Sequence, residues 1–179
     1  MSRLAFSKVF IFLALICFVL TAFLYYQRNN PNRLAFNTNQ KLSNSKSEIK
    51  ENPIAIIIDG INLNLPIIPA NITNNNWQTS NIGVSYLSIS PKPGETGNSI
   101  LYGHNWTNLL GNLTKVQPGE KVIIVYPKNN IKNFLVEYTQ VVSPNDISVL
   151  AQTKDKRITI YTCTGFLDSK RFVVVAKEV

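Results

Sequence analysis

The chain has a single histidine, and of its two cysteines only Cys163 lies outside a long apolar run near the N-terminus. The histidine stands in Leu101-Tyr102-Gly103-His104-Asn105-Trp106 and the cysteine in Ile160-Tyr161-Thr162-Cys163-Thr164-Gly165, with Arg171 eight positions beyond it. Together they offer one nucleophile, one proton carrier and one fixed positive charge. An unperturbed thiol, with a pKa near 8.5, is only about a few per cent thiolate at neutral pH, and a nearby cation raises that fraction. Imidazole titrates near neutrality, so it can protonate a departing amine and deprotonate an incoming one. The set suits attack by sulfur with proton transfer by imidazole. Spacing alone also allows a blander reading, a buried apolar cysteine beside a surface arginine and a solvated loop histidine. Asn105 and Trp106 are candidates to orient or cover the imidazole. Arg157, at the start of the cysteine strand, lies roughly a strand length from the thiol and ranks below Arg171 as the cation.

The elements that must position these residues are short β-branched runs separated by Gly, Pro and Asn, at 54–58, 65–68, 83–89, 98–102, 121–126, 134–142, 157–162 and 172–176. Eight short strands with turn signals between them predict a barrel or sandwich. Pro66 confines the second run to an edge or to the start of pairing. Asp59-Gly60 and Lys128-Asn129-Asn130 are the expected turns. Helix is expected only in connections, around 74–78, around 107–113, and from Asn145 or Asp146 to Gln152. In the cysteine strand Ile158 and Ile160 alternate with Thr159 and Tyr161, which brings the thiol to the strand's end. A hairpin to the run at 172–176 then sets Arg171 near Cys163 across the ladder.

Ahead of these strands, 9–26 is apolar apart from Thr21. At 1.5 Å per residue it spans roughly 27 Å, enough to cross a bilayer. Arg3 and Lys8 precede it, Tyr25 and Tyr26 close it, and no small-residue cleavage signature follows, so it reads as an uncleaved anchor. Arg28, Arg33 and Lys41 on the far side leave its orientation open by charge. Because Cys17 lies within this run, Cys163 is expected to be a free thiol. Residues 27–52, rich in Asn, Ser and Lys, read as a flexible stalk. The organisation expected is therefore a short N-terminus at 1–8, an anchor at 9–26, the stalk, and one catalytic domain at 53–179. The net charge of +8 is scattered and carries no nucleic-acid fingerprint, so it reads as surface solvation with attraction to anionic membrane or wall polymers. One His and one Cys cannot complete a zinc site, and the acids are too sparse for a calcium cage.

The order of parts resembles a sortase: anchor, stalk, all-β domain, histidine after a mid-domain strand, cysteine at a strand end, arginine on the next strand. Ile160-Tyr161-Thr162-Cys163 resembles the family's Thr-Leu-x-Thr-Cys signature, with Ile in place of Leu and an aromatic in the variable place. Ser99-Ile100-Leu101-Tyr102-Gly103-His104 resembles the histidine segment, and Lys170-Arg171-Phe172-Val173-Val174 the arginine strand. The likeness covers 54–179. It implies an all-β fold, a closed eight-stranded barrel with short connecting helices behind one N-terminal transmembrane helix, on the outer face of a bacterial membrane.

It further implies that secreted proteins with a C-terminal Leu-Pro-x-Thr-Gly-like signal are the substrates. Cys163 would form a thioacyl-enzyme, Arg171 would steady the oxyanion, and His104 would protonate the leaving amine. An amine from a peptidoglycan precursor or a pilin would then take the acyl group, with no cofactor and no metal. By the same analogy Ile147, Val149 and Leu150 on the 143–156 connection wall the groove, and Thr162 lines it beside the nucleophile. Residues 27–52 hold no Asp-Pro-aromatic lid motif, and no second apolar run follows the last strand. These features point to a single-anchor type rather than the lid-bearing pilin-polymerase class. The reading from a different class is a membrane-tethered β-domain that binds wall polymer or a partner protein, with Cys163 inert. A papain-like protease would place Cys before His, and an L,D-transpeptidase would carry a Ser-x-Gly-Cys-x-Arg run, so neither fits.

Overall fold

The computed structural model describes residues 3–37, 49–73 and 76–179. The chain falls into two units, one ending at Arg33 and the other beginning at Leu34. The first consists mainly of α1 (Arg3–Asn29), which contains no Gly or Pro and ends two residues before Pro31, as the steric restriction on the residue preceding proline favours. Within it, the 23 residues Ser7–Asn29 are apolar and long enough to cross a membrane. Large apolar side chains such as Phe12, Phe18 and Val19 are exposed, as suits a lipid-facing surface. The helix overruns the expected 9–26 at both ends.

The second unit is built on ten strands: β1 (Ala55–Ile58), β2 (Leu63–Ala70), β3 (Ile72–Thr73), β4 (Asn76–Trp77), β5 (Val84–Leu87), β6 (Gly97–Tyr102), β7 (Lys121–Val125), β8 (Ile131–Val142), β9 (Lys156–Thr164) and β10 (Lys170–Glu178). Eight of them close a barrel in the order β1-β2-β5-β6-β9-β10-β8-β7, and each overlaps one of the eight runs expected from sequence. Neighbours pair antiparallel except for β2 with β5 and β6 with β9. Pro66 lies on no edge, since a closed barrel has none. It sits opposite Ala55, at the first residue of β1, and its carbonyl lies so near Gly83 that a Cβ there would come within 2.3 Å of it. The β7–β8 turn places Lys128 and Asn129 at φ 59° and 58°, the left-handed pair that matches strand twist in a tight hairpin.

The helices expected in connections are shorter than the sequence suggests. The third is a single 3₁₀ turn, Ile147–Leu150, capped by the Asp146 side chain, which accepts from the Ser148 N–H. The second is a 3₁₀ turn at Gly111–Lys115. Of the turn expected around 74–78, residues 74 and 75 lie outside the described residues, while Asn76 and Trp77 are extended as β4, paired with β3. The β-branched Ile72-Thr73 and the burial of Trp77 against aromatic neighbours favour an extended path there.

Strand alternation divides the buried side chains into two clusters. Ile158 and Ile160 of β9, Leu101 of β6 and Val174 of β10 point into the barrel. Ile100, Tyr102, Tyr161, Cys163, Val173 and Val175 of the same strands form a second cluster on the outer wall. These three strands are therefore buried on both faces, and the outer cluster needs a cover of its own.

Candidate active site

The site is assembled by the adjacency of β6, β9 and β10. Tyr102 pairs with Tyr161 in the parallel ladder, and the Gly103 N–H continues it by donating to the Tyr161 carbonyl at 3.3 Å. Two positions past each tyrosine come His104 and Cys163. On the other side of β9, Arg171 is directly opposite Cys163. Arg171 and Cys163 therefore share a rung, and His104 follows in the loop that leaves β6. Cys163 and Arg171 share the parity of Tyr161 and Val173, and Cys163 belongs to the buried cluster of the outer wall. The hairpin expected from sequence puts arginine and cysteine at the same rung, and the parallel ladder brings the segment leading to His104 alongside the cysteine strand.

His104 is 5% exposed, and its ring stacks on Trp106 at 4.4 Å between centroids with a 9° tilt. Its carbonyl accepts from the Leu110 N–H at 3.0 Å. Burial lowers the imidazole pKa, partly opposed by the Asp168 carboxylate, so the ring rests neutral at pH 7. The unfolded chain then takes up a proton near pH 6.5 before the native state does, and stability falls as the pH drops below that value. We expect the melting temperature to decline more steeply from pH 7 to pH 5 in the wild type than in His104→Gln; parallel profiles would show that this burial has no energetic weight. Asn105 turns to the other side of the site, donating from Nδ2 to Asp168 Oδ1 at 2.9 Å.

Cys163 and Arg171 are each 3% exposed. The guanidinium is held by backbone carbonyls: Nη1 donates to Asp168 and Lys170, and Nη2 to Ala35, each at 3.0 Å. Its Nε–H is buried with no partner. A buried unpaired donor is unfavourable, and it becomes favourable when a carbonyl or oxyanion arrives. Arg157 is not part of this arrangement. It pairs with Lys177 at the far end of β9, with its Nε donating to Asp155 at 2.9 Å.

The connection between β8 and β9 covers the outer wall. Val149 and Leu150 are buried in the cluster that holds Cys163, and Ile147 packs against it. Asn98 pins this connection to β6: its Nδ2 donates to the Val149 and Ala151 carbonyls at 3.0 and 3.1 Å, and its Oδ1 accepts from Thr159 at 2.8 Å. Thr162 has the parity of Ile158 and Ile160 and is fully buried. Its hydroxyl donates to the Gly103 carbonyl at 2.8 Å, tying the cysteine strand to the histidine loop. Thr162→Val leaves that carbonyl without its partner, so a loss of about 1–3 kcal/mol in stability is expected from the urea midpoint.

Sequence reasoning missed the remaining cover. Leu34 and Phe36, within the stretch read as a flexible stalk, are 0% and 2% exposed in the same outer cluster. Phe36 meets Tyr161 edge-on at 4.9 Å, and the Arg171 guanidinium lies 5.9 Å from its ring centroid. The usable signal was the i, i+2 spacing of two large apolar residues in a polar stretch. Asn98 and Asp168 were also missed, being single polar residues with no motif around them.

Three comparisons bear on this arrangement. The family model described as "Sortase domain" matches residues 56–179. A curated relative, Sortase A of Listeria monocytogenes, is 34% identical over 85 residues, covering 45% of this chain and 38% of that protein, so the match spans well under half of the relative's length. Among solved structures, a Sortase D5 transpeptidase from Clostridium perfringens superposes with TM-score 0.62 at 28% identity, covering 74% of this chain and 82% of that one. Sortase C1 from Streptococcus agalactiae gives TM-score 0.62 at 26% identity, covering 79% and 72%.

Proposed function

Because the chain belongs to the sortase family, we propose that it is a cysteine transpeptidase that cleaves a Leu-Pro-x-Thr-Gly-like signal at the C-terminus of secreted proteins. The observation that supports this reading is that Arg171 lies directly opposite Cys163 while β6, which leads into the His104 loop, pairs with the cysteine strand on its other side. In the proposed reaction Cys163 Sγ attacks the threonine carbonyl and the thiol proton passes to His104. Arg171 donates to the oxyanion. The carbon–nitrogen bond to glycine then breaks as His104 returns the proton to the departing amine, leaving a thioester on Cys163. An incoming amine, from a peptidoglycan precursor or a pilin, gives up a proton to His104 and attacks the thioester. A new amide forms and the thiolate leaves.

Ile147, Val149 and Leu150 supply apolar contact for the signal. The helix α1 serves as a single signal anchor in a bacterial membrane, with the barrel on the outer side and residues 1–8 in the cytoplasm; of the 27–52 stretch read as a stalk, residues 38–48 lie outside the described residues. The lack of an Asp-Pro-aromatic motif in 27–52 supports a wall-attachment or general-purpose type over a pilin polymerase. The test mixes the protein with Leu-Pro-x-Thr-Gly and Leu-Ala-x-Thr-Gly peptides, with and without amine acceptors, and reads intact mass. An acyl adduct mapped to Cys163 and discharged by the amine is expected. A folded protein with a reactive thiol and no adduct from any signal would overturn the reading.

A further inference from the structure

The two residues that follow His104 make different contacts. Asn105 reaches the β9–β10 turn through its bond to Asp168, whereas Trp106 lays its indole on the imidazole, the two rings 4.4 Å apart between centroids and within 9° of parallel. The loop that carries this stack is tightly closed. The His104 carbonyl accepts from the Leu110 N–H at 3.0 Å, and the Trp106 carbonyl accepts from the Leu109 and Gly111 N–H groups at 2.9 Å each. A Cβ at Gly111 would come within 2.7 Å of the Trp106 carbonyl oxygen, so only glycine fits the turn. Leu109 and Leu110 are buried, and Leu110 belongs to the barrel-core cluster, so the stack is built on the core. Among the described residues, the Trp106 Nε1–H is buried with no hydrogen-bond partner. An orphaned indole donor is unfavourable, and a phenylalanine would cover the imidazole without it. What tryptophan adds is the more strongly negative π face.

We propose that Trp106 is a positioning residue for the base: its indole face sets the plane of the imidazole and stabilises the imidazolium that exists while His104 carries the proton taken from Cys163. This rests on the transpeptidase reading of the site. In the resting enzyme the imidazole is neutral, and the stack is a contact between two uncharged rings. When the S–H bond breaks and its proton moves to the imidazole, the ring becomes a cation over a π face and the same contact strengthens. The charged or titratable groups on the elements around the loop are Cys163 on β9, Asp168 on the β9–β10 turn, Arg171 on β10 and Lys115 on the 3₁₀ turn that follows. Asp168 favours the imidazolium and burial opposes it, so the indole face works with the carboxylate against desolvation. Because the gain arises only after proton transfer, it lowers the barrier without tightening substrate binding, and it belongs to kcat rather than KM. The proton leaves with the departing amine, and the stack returns to its neutral form.

The test compares two replacements in the full-length chain in detergent micelles. Trp106→Phe keeps a smaller π face, and Trp106→Leu keeps an apolar cover with none. With a labelled sorting peptide and excess amine, kcat should fall in the order wild type, Trp106→Phe, Trp106→Leu, the last by about 2- to 30-fold, while KM stays within about twofold. A second readout needs no activity. Because the chain has a single histidine, isotope-labelled histidine gives one set of imidazole resonances. Its ring protons should lie upfield in the wild type and move downfield in Trp106→Leu, and its pKa should be higher in Trp106→Phe than in Trp106→Leu, which are alike in bulk. Near-UV circular dichroism checks folding; if Trp106→Leu does not fold, Trp106→Met serves as the variant without a π face. Equal kcat in the two folded variants, or an equal histidine pKa, would overturn the proposal and leave Trp106 as a cover. Failure of every sorting peptide to acylate the wild type would instead refute the transpeptidase reading, and the histidine titration would then decide alone whether the indole stabilises the imidazolium.

Discussion

Replacing Cys163 with alanine is expected to lower transpeptidation by at least about 10⁴-fold, to the level of the uncatalysed background. The reason is that the reaction has no second nucleophile to fall back on: the only other thiol, Cys17, sits in the apolar helix. Loss of one buried sulfur atom costs about 1 kcal/mol of stability, so the variant should remain folded and still show the wild-type near-UV spectrum. Cys163→Ser is expected to be almost as inactive, because an alcohol is a far weaker nucleophile than a thiol beside a base. Product formation is read by chromatography of a labelled peptide with a large excess of amine. Turnover by Cys163→Ala within tenfold of wild type would place the nucleophile elsewhere and end the proposed mechanism.

Arg171→Ala should reduce kcat/KM by about 10²- to 10³-fold, the range seen when a preorganised oxyanion donor is removed. Removing the guanidinium also leaves the carbonyls of Ala35, Asp168 and Lys170 without this donor, which costs stability on the order of 1–3 kcal/mol, so the loss in kcat/KM is read on folded protein. Arg171→Lys is the informative companion, because it keeps the charge but replaces a planar fork of donors with one ammonium group. Recovery of less than a tenth of wild-type kcat/KM is expected, measured at a temperature where all three proteins are fully folded. Full recovery by lysine would show that charge alone matters and that the geometry around Nε is irrelevant.

Much of the scaffold was legible because the physical signals were local. Each barrel strand is a short β-branched run bounded by a turn residue, and the Gly165–Ser169 spacing was enough to set Arg171 opposite Cys163. The burial of β6, β9 and β10 on both faces was harder to read, since alternation weakens when both faces are apolar. The burial of Thr162 was legible from its parity with Ile158 and Ile160. Segment 34–37 was not legible in this way. Asn, Ser and Lys around it lower the average hydrophobicity, and no local rule says that two apolar side chains in such a stretch will find a wall to cover. Asn98 belongs to the same class, since its three partners lie more than fifty positions away.

The parallel pairing of β6 with β9 also fixes when the site can exist. Its rungs join residues 59 positions apart, from Gly97 with Lys156 to Tyr102 with Tyr161, and the β7–β8 hairpin lies between them in the chain. Closing so distant a contact is slow compared with forming a hairpin, because the entropy of the intervening chain is lost before the ladder returns anything. The strand that leads to the histidine therefore meets the cysteine strand only late in folding, after most strands are in place. In the proposed mechanism the nucleophile and its base are therefore parts of one site only on a finished barrel.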